Sequence, residues 1–315
     1  MSLRRRLLAL LWQPNGLSTG RARWASSGRA HWASHGLSTG LPHGLPPPPR
    51  RLVVALPLCL TLALASAPAQ EHSVLNEGAI TRMDTTRREI YLVFTGHEFA
   101  EGGSVIRETL RAHGAKGSFF FTGDFYRNPR FAGLIRGLRD DGHYLGPHSD
   151  RHLLYAPWER RDSLLVTRKE FTDDLLGNYA AMQMFGIGLD NAPFFLPPYE
   201  WYNRTIAAWA AEMHITLVNF SPGTGSNADY TTLDMGSRYV SSDSILARIL
   251  NFERTSTSGL NGFLLLTHAG AGPGRTDKFF LRLDSLITIL SRRGYHFTRL
   301  SGNRSRSPAS VPKNF

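Results

Sequence analysis

The sequence predicts an α/β fold of repeated strand–helix units closing into a barrel over residues 88–300. Three observations carry this. Short apolar runs rich in aromatic and β-branched residues recur from position 89 to position 300. Stretches with helical periodicity separate them, and Gly, Pro and Asn punctuate the joins. Such alternation implies βα units and a parallel sheet. About seven units over roughly 210 residues suit closure better than an open sheet.

Taken in order, residues 1–49 do not read as a domain. Gly-Leu-Ser-Thr-Gly occurs at 16–20 and again at 36–40, a proline run follows at 47–49, and no apolar period is sustained. Such a segment cannot bury a core and is expected to be disordered. Arg50 and Arg51 then precede an apolar run over 52–65 that ends in small residues, Ala65-Ser66-Ala67 and Ala67-Pro68-Ala69. A positive start, a short apolar middle and a small-x-small end make 50–69 a secretory signal peptide, and the run is too short for stable membrane insertion. The expected location is periplasmic or extracellular. Residues 70–87 read as a linker.

From there the expected strands are 89–95 (EIYLVFT), 117–122 (GSFFFT), 144–145, 194–196, 215–220, 262–267 (GFLLLT) and 296–300. The expected helices are 103–113, 129–141, 168–185, 203–213, 243–254 and 277–293. The tail 301–315 is basic and expected to be disordered.

Charge is placed unevenly. Of 36 Lys and Arg, eight fall in 1–70 and three in 301–315, and neither segment holds an acid. The 25 bases left in the body therefore face all 25 acids. A neutral body argues against a nucleic-acid-binding domain, which carries its bases on the folded face. The one cysteine, Cys59, lies in the signal segment, so the body has no thiol chemistry.

In a barrel of this kind chemistry collects where strands end. The first strand runs into Thr95-Gly96-His97-Glu98, the third into Pro147-His148-Ser149-Asp150-Arg151-His152, the fourth into Pro197-Pro198-Tyr199-Glu200-Trp201, and the sixth into Thr267-His268. His148 and His152 stand four apart. On one helical turn that spacing puts both rings on one face, where neutral imidazoles can share a divalent ion. His143 reads as structural. Tyr199, Trp201, Tyr202 and Tyr230 are candidates to stack on sugar rings.

The block Gly142-His143-Tyr144-Leu145-Gly146-Pro147-His148-Ser149-Asp150-Arg151-His152 resembles the G-H-x-x-G-x-H-[ST]-x-x-H block of NodB-type polysaccharide deacetylases. Leu264-Leu265-Leu266-Thr267-His268 resembles the late strand of that family, which ends in a catalytic histidine. Phe195-Leu196-Pro197-Pro198-Tyr199 resembles its R-x-P-Y motif, and Lys116-Gly117-Ser118-Phe119-Phe120-Phe121 its second strand. The resemblance spans about 88–300. It implies a distorted (β/α)7 barrel, a divalent metal, usually zinc, and hydrolysis of acetyl groups on a polysaccharide such as xylan, a chitin-like chain or peptidoglycan, by a monomer. The sequence also departs from the family. Its T-F-D-D motif has become Val93-Phe94-Thr95-Gly96, its motif-three arginine is Leu196, and its D-x-x-D-W motif is not evident near Asn219-Phe220-Ser221.

A hydrolytic metal centre needs three protein ligands and an open position for water. His148 and His152 supply two, and Glu98 is expected as the third, with His97 as the alternate. Thr95 cannot act as the base, so Glu200 and His97 are its candidates, and His268 is expected to protonate the leaving group. Two other readings stay open: a glycoside hydrolase using Glu98 and Glu200 as a carboxylate pair, told apart by their separation, and a lapsed barrel that only binds glycan.

Overall fold

The computed structural model describes residues 73–301. The readings over 1–49 and 50–69, and nearly all of the tail 301–315, lie outside the described residues.

The described chain begins with a hairpin. Strands β1 (Val74–Asn76) and β2 (Ala79–Arg82) pair antiparallel. Their turn, Glu77 and Gly78, has φ of 46° and 83°, the left-handed backbone that a tight hairpin turn demands. This corrects the linker reading of 70–87. Strands of three and four residues show too little alternation to be read, yet Ala79 and Ile80 are buried.

The expected strand–helix alternation follows. It comprises β3 (Glu89–Gly96), α1 (Gly103–Ala112), β4 (Ser118–Phe121), the short α2 (Gly123–Arg127), α3 (Ala132–Asp140), β5 (Tyr144–Pro147), α4 (Arg168–Gln183), β6 (Phe194–Phe195), α5 (Arg204–Glu212), β7 (Thr216–Leu217), α6 (Ser242–Thr255), β8 (Phe263–His268), α7 (Leu283–Arg292) and β9 (His296–Thr298). All seven expected strands are present. β3 is buried beyond its first residue, which explains its unbroken apolar run, since helices cover one face and the barrel interior the other. The helices bury matching stripes: Ile106 and Leu110 on α1, Ile135 and Leu138 on α3, and Leu283, Leu286, Ile287 and Leu290 on α7, the i, i+3, i+4 spacing of an amphipathic helix. Thr122, Thr167, Asn203 and Ser241 cap α2, α4, α5 and α6.

The main sheet has the order β1-β2-β8-β3-β4-β5, with β9 beside the start of β3. The short parallel pair β6–β7 continues it on both sides. Leu196 N donates to Pro147 O at 3.3 Å after β5, and Asn219 N donates to Ile80 O at 2.8 Å beside β2. Ser221 N also reaches Leu264 O of β8 at 3.0 Å. The result is a curled, distorted barrel of the expected class, sealed between β7 and β8 partly by the hairpin.

The parallel register decides what meets at the mouth. Thr95 faces His268, Gly96 faces Phe121, and Phe121 faces Pro147. The residues just beyond those strand ends, His97, Thr122 and His148, therefore leave the sheet at the same level as His268. Among the described residues no helix is long and apolar enough to cross a membrane.

Candidate active site

His148 and His152 meet, but not on a helix. Residues 148–152 form a loop in which Ser149 and His152 have φ of 73° and 56°. The two left-handed residues fold the chain back and bring the rings to 5.1 Å between centroids. A buried carboxylate holds this shape. Asp174 on α4 accepts Ser149 Oγ at 2.6 Å, Tyr155 Oη at 2.9 Å, and the backbone N–H groups of Asp150 and Arg151 at 3.2 Å each. One turn further along α4, Asn178 Oδ1 accepts His148 N at 2.8 Å. The spacing of Asp174 and Asn178 places both on the helix face turned to the loop.

His148 Nδ1 pairs with Leu196 O at 2.8 Å. This directs Nε2 away from that carbonyl. Burial pushes its pKa down to about 3 and that of His152 well below the usual imidazole value. Both rings are therefore neutral near pH 7. His97 joins them. Its ring lies 4.8 Å from that of His152 and within 8° of parallel, with Nδ1 3.1 Å from Thr122 Oγ1. His143 is buried elsewhere, accepting Gly117 N at 3.1 Å, the structural part expected of it.

Glu98 is not gathered with them. Its side chain is 67 % exposed and its carboxylate stands 3.9 Å from His97 Nε2. It lines a separate cleft of about 570 Å³ with Phe99, Arg111 and Arg130. The chain leaves β3 with His97 turned inward, and the next side chain turns out to solvent. Among the described residues no group of three His, Cys, Asp or Glu side chains is placed to hold a metal ion. Gly96 stands where the resemblance puts a ligand aspartate, and a Cβ there would meet the rings of Phe121 at 2.9 Å and Phe125 at 3.0 Å. Those two rings stack on each other at 4.0 Å and are fully buried. The three-ligand zinc set expected from Glu98, His148 and His152 thus does not fit this mouth. The carboxylate-pair reading of Glu98 with Glu200 loses its first member for the same reason.

Opposite the imidazoles lies a second cluster. His268, at the end of β8, donates its backbone N–H to Asp229 Oδ2 at 2.8 Å, and its Nδ1 lies 2.6 Å from Asp229 Oδ1. Burial alone would lower the His268 pKa, but the Asp229 carboxylate and Glu200 outweigh it and raise it. Asp229 is the residue that sequence reasoning missed. It sits in a one-turn helix, Ser226–Tyr230, as Ser226-Asn227-Ala228-Asp229-Tyr230, a degenerate form of D-x-x-D-W that keeps the second acid and an aromatic.

Glu200 follows Tyr199 in a tight turn after Pro197 and Pro198. Both residues are left-handed, with φ of 59° and 53°, and Asn219 Nδ2 donates to Glu200 O at 2.8 Å. The family usually has glycine at this place, which the backbone explains. A glutamate held there stores backbone strain. Burial, with a smaller push from Asp229 and an opposing pull from His268, raises its pKa to about 7. Thr95, in the position of the family's base, is buried with its hydroxyl unpaired.

Two of the four candidate aromatics, Tyr199 and Tyr230, stand beside site histidines. Tyr199 lies 4.4 Å from the His152 ring, and Tyr230 is exposed with its ring 5.5 Å from that of His268. Trp201 is stacked between Trp158 and the Arg161 guanidinium. Tyr202 is buried, donating to Asn76 O at 2.8 Å, so it belongs to the scaffold.

With this geometry established, comparison with known proteins gives a consistent result. The family model described as polysaccharide deacetylase matches residues 82–218. No curated protein sequence matches the chain. Among solved structures, a CE4 family pseudoenzyme from Bacillus anthracis has a TM-score of 0.54 at 18 % identity, over 72 % of this chain and 68 % of its own. A family 4 carbohydrate esterase of Bacillus subtilis, PdaA, has 0.55 at 20 %, over 71 % and 83 %. A peptidoglycan N-acetylglucosamine deacetylase has 0.55 at 21 %, over 70 % and 89 %. At these identities the likeness is one of fold.

Proposed function

We propose that this chain, whose residues 82–218 match the polysaccharide deacetylase family model, is a divergent member of that family and hydrolyses acyl groups on polysaccharide with Glu200 as base and His268 as acid. The observation that carries this is the half-buried Glu200, with a pKa of about 7, set against the charge of the His268–Asp229 pair. A base poised near the working pH, facing an acid oriented by a carboxylate, is what acyl transfer to water requires.

The ionised Glu200 takes a proton from a water molecule as that water attacks the acyl carbon. The new C–O bond forms, and the C–N or C–O bond to the sugar breaks. Imidazolium His268 gives its Nε2 proton to the departing amine or hydroxyl, and a carboxylic acid is released. Asp229, bonded to Nδ1, fixes the tautomer and favours the charged ring. The neutral His148 and His152, with His97 stacked beside His152, line the opposite wall. The proposal includes export, on the signal-peptide reading of 50–69; recovery of the native protein from a secreted fraction checks it.

The test is acetate release from acetylated xylan, chitin oligomers and peptidoglycan. Glu200→Gln and His268→Ala are each expected to lose at least about 10²-fold. An unchanged rate in Glu200→Gln overturns the reading. A second reading has its own support in Thr95, Gly96 and Leu196, which stand in place of the family's polar machinery: a barrel that binds glycan without turnover. It requires saturable binding of the same glycans by calorimetry and no acetate at all.

A further inference from the structure

We propose that Arg275 is a positioning residue for proton transfer, locking the Asp229 carboxylate onto His268 from the far side of the loop that carries it. The proposal rests on the reading of His268 as the acid.

Arg275 is 1 % exposed and is the largest fully buried side chain among the described residues. Its guanidinium is held mostly by oxygen atoms of the backbone and of hydroxyls. Nη1 donates to Thr231 O at 2.6 Å and Thr231 Oγ1 at 3.3 Å. Nη2 donates to Val240 O at 3.0 Å and Ser242 Oγ at 3.1 Å, and Nε donates to Asp277 O. Its ion-pair partner, Asp277, accepts Nη2 at 3.5 Å on an oxygen that also accepts Ser242 N and Tyr239 Oη. A buried cation whose counter-charge is shared with two other donors is a costly way to stabilise a fold, and apolar packing does that better.

What the guanidinium achieves is geometric. A rigid fork of donors ties Thr231 to Val240 and so closes the segment 231–240 on itself. Thr231 also accepts Val240 N through its hydroxyl at 3.1 Å. Two residues before Thr231 stands Asp229, whose two oxygens both engage His268. The residue between them, Tyr230, rests its ring on the imidazole. The last link to the acid is thus a single-turn helix, which has little rigidity of its own, and Arg275 anchors its end. The charged and titratable groups around His268 are Asp229 and Glu200, which favour its protonation, Arg275, which opposes it, and His148 and His152, whose own charging it opposes.

Arg275→Lys in the full chain keeps the charge but cannot bridge Thr231 O and Val240 O together. By NMR, the His268 imidazole of this variant is expected to titrate lower than in the wild type, toward the ordinary value of about 6.5. The kcat for acetate release should fall roughly ten- to a hundredfold with KM little changed. Thr231→Ala, which removes one acceptor only, should move the His268 midpoint in the same direction by less, and it decides the matter if Arg275→Lys does not fold. Folded variants whose His268 titrates as in the wild type overturn the proposal, whatever their melting temperature. If the wild type releases no acetate, the hydrolase reading fails, while the His268 titration still decides the role of Arg275.

Discussion

Glu200 concentrates the conflict between stability and chemistry in one side chain. Its left-handed backbone costs roughly 1–2 kcal/mol relative to glycine, and its side chain is half-buried. In the unfolded chain it loses its proton near 4.5, in the fold near 7. Between those values the unfolded state binds fewer protons, so stability falls as pH rises, and the full penalty, up to about 3 kcal/mol, is present above pH 7. Glu200→Gln should therefore be more stable than wild type by ~1–3 kcal/mol at pH 8 and about equal at pH 4, by urea unfolding, while acetate release is lost. Gly96 is the opposite case. Gly96→Asp restores the family's acid in sequence, but its Cβ meets the stacked rings of Phe121 and Phe125. It is expected to cost ~1–3 kcal/mol, with no zinc bound by elemental analysis; one equivalent of zinc per chain would show that the rings yield.

At the scale of elements, α4 shapes the mouth by holding the loop that carries His148 and His152. Its Asp174 accepts four donors from the loop that shapes the histidine pair. Asp174→Ala leaves those donors unpaired in the interior and should destabilise by ~3–5 kcal/mol in chemical denaturation. The imidazole signals of His148 and His152 are expected to lose their separate environment in NMR. None of this was legible in the sequence. The H-x-x-x-H spacing pointed rightly to two rings at one place, yet the means differ: left-handed turns at Ser149 and His152 rather than a helical turn, because Asp174 offers the backbone N–H groups a better partner than a helix would. The strands and helices from 88 to 300 could be read, since length and apolar period are local properties. The hairpin at 74–82 and Asp229 could not, because their meaning lies in contacts some 180 and 40 residues away.

For the molecule as a whole, the two halves of the mouth have opposite electrical character. One wall holds neutral imidazoles, and the other an acid and a base that share charge. Activity should follow a narrow bell against pH centred near neutrality. The acid limb reflects Glu200 at about 7 and the alkaline limb the raised His268, and both midpoints belong to the coupled pair. A stopped assay over pH 5–9 checks this, and Glu200→Gln should remove any acid limb from residual turnover. The strand-end pattern was enough to expect His97, His148 and His152 in one place from sequence. It was not enough to tell an outward-turned Glu98 from a ligand, because the direction of a side chain just past a strand is set by the packing around it.

The N-terminal hairpin has one more consequence. β2 runs against β8 and bridges toward β7, so it works as a stave of the barrel rather than as an approach to it. A fragment trimmed to begin at residue 88 would bare two open strand edges, templates for adding strands from other molecules. Such a piece is expected to self-associate, whereas one beginning at residue 73 keeps its seam shut and elutes as a single small species.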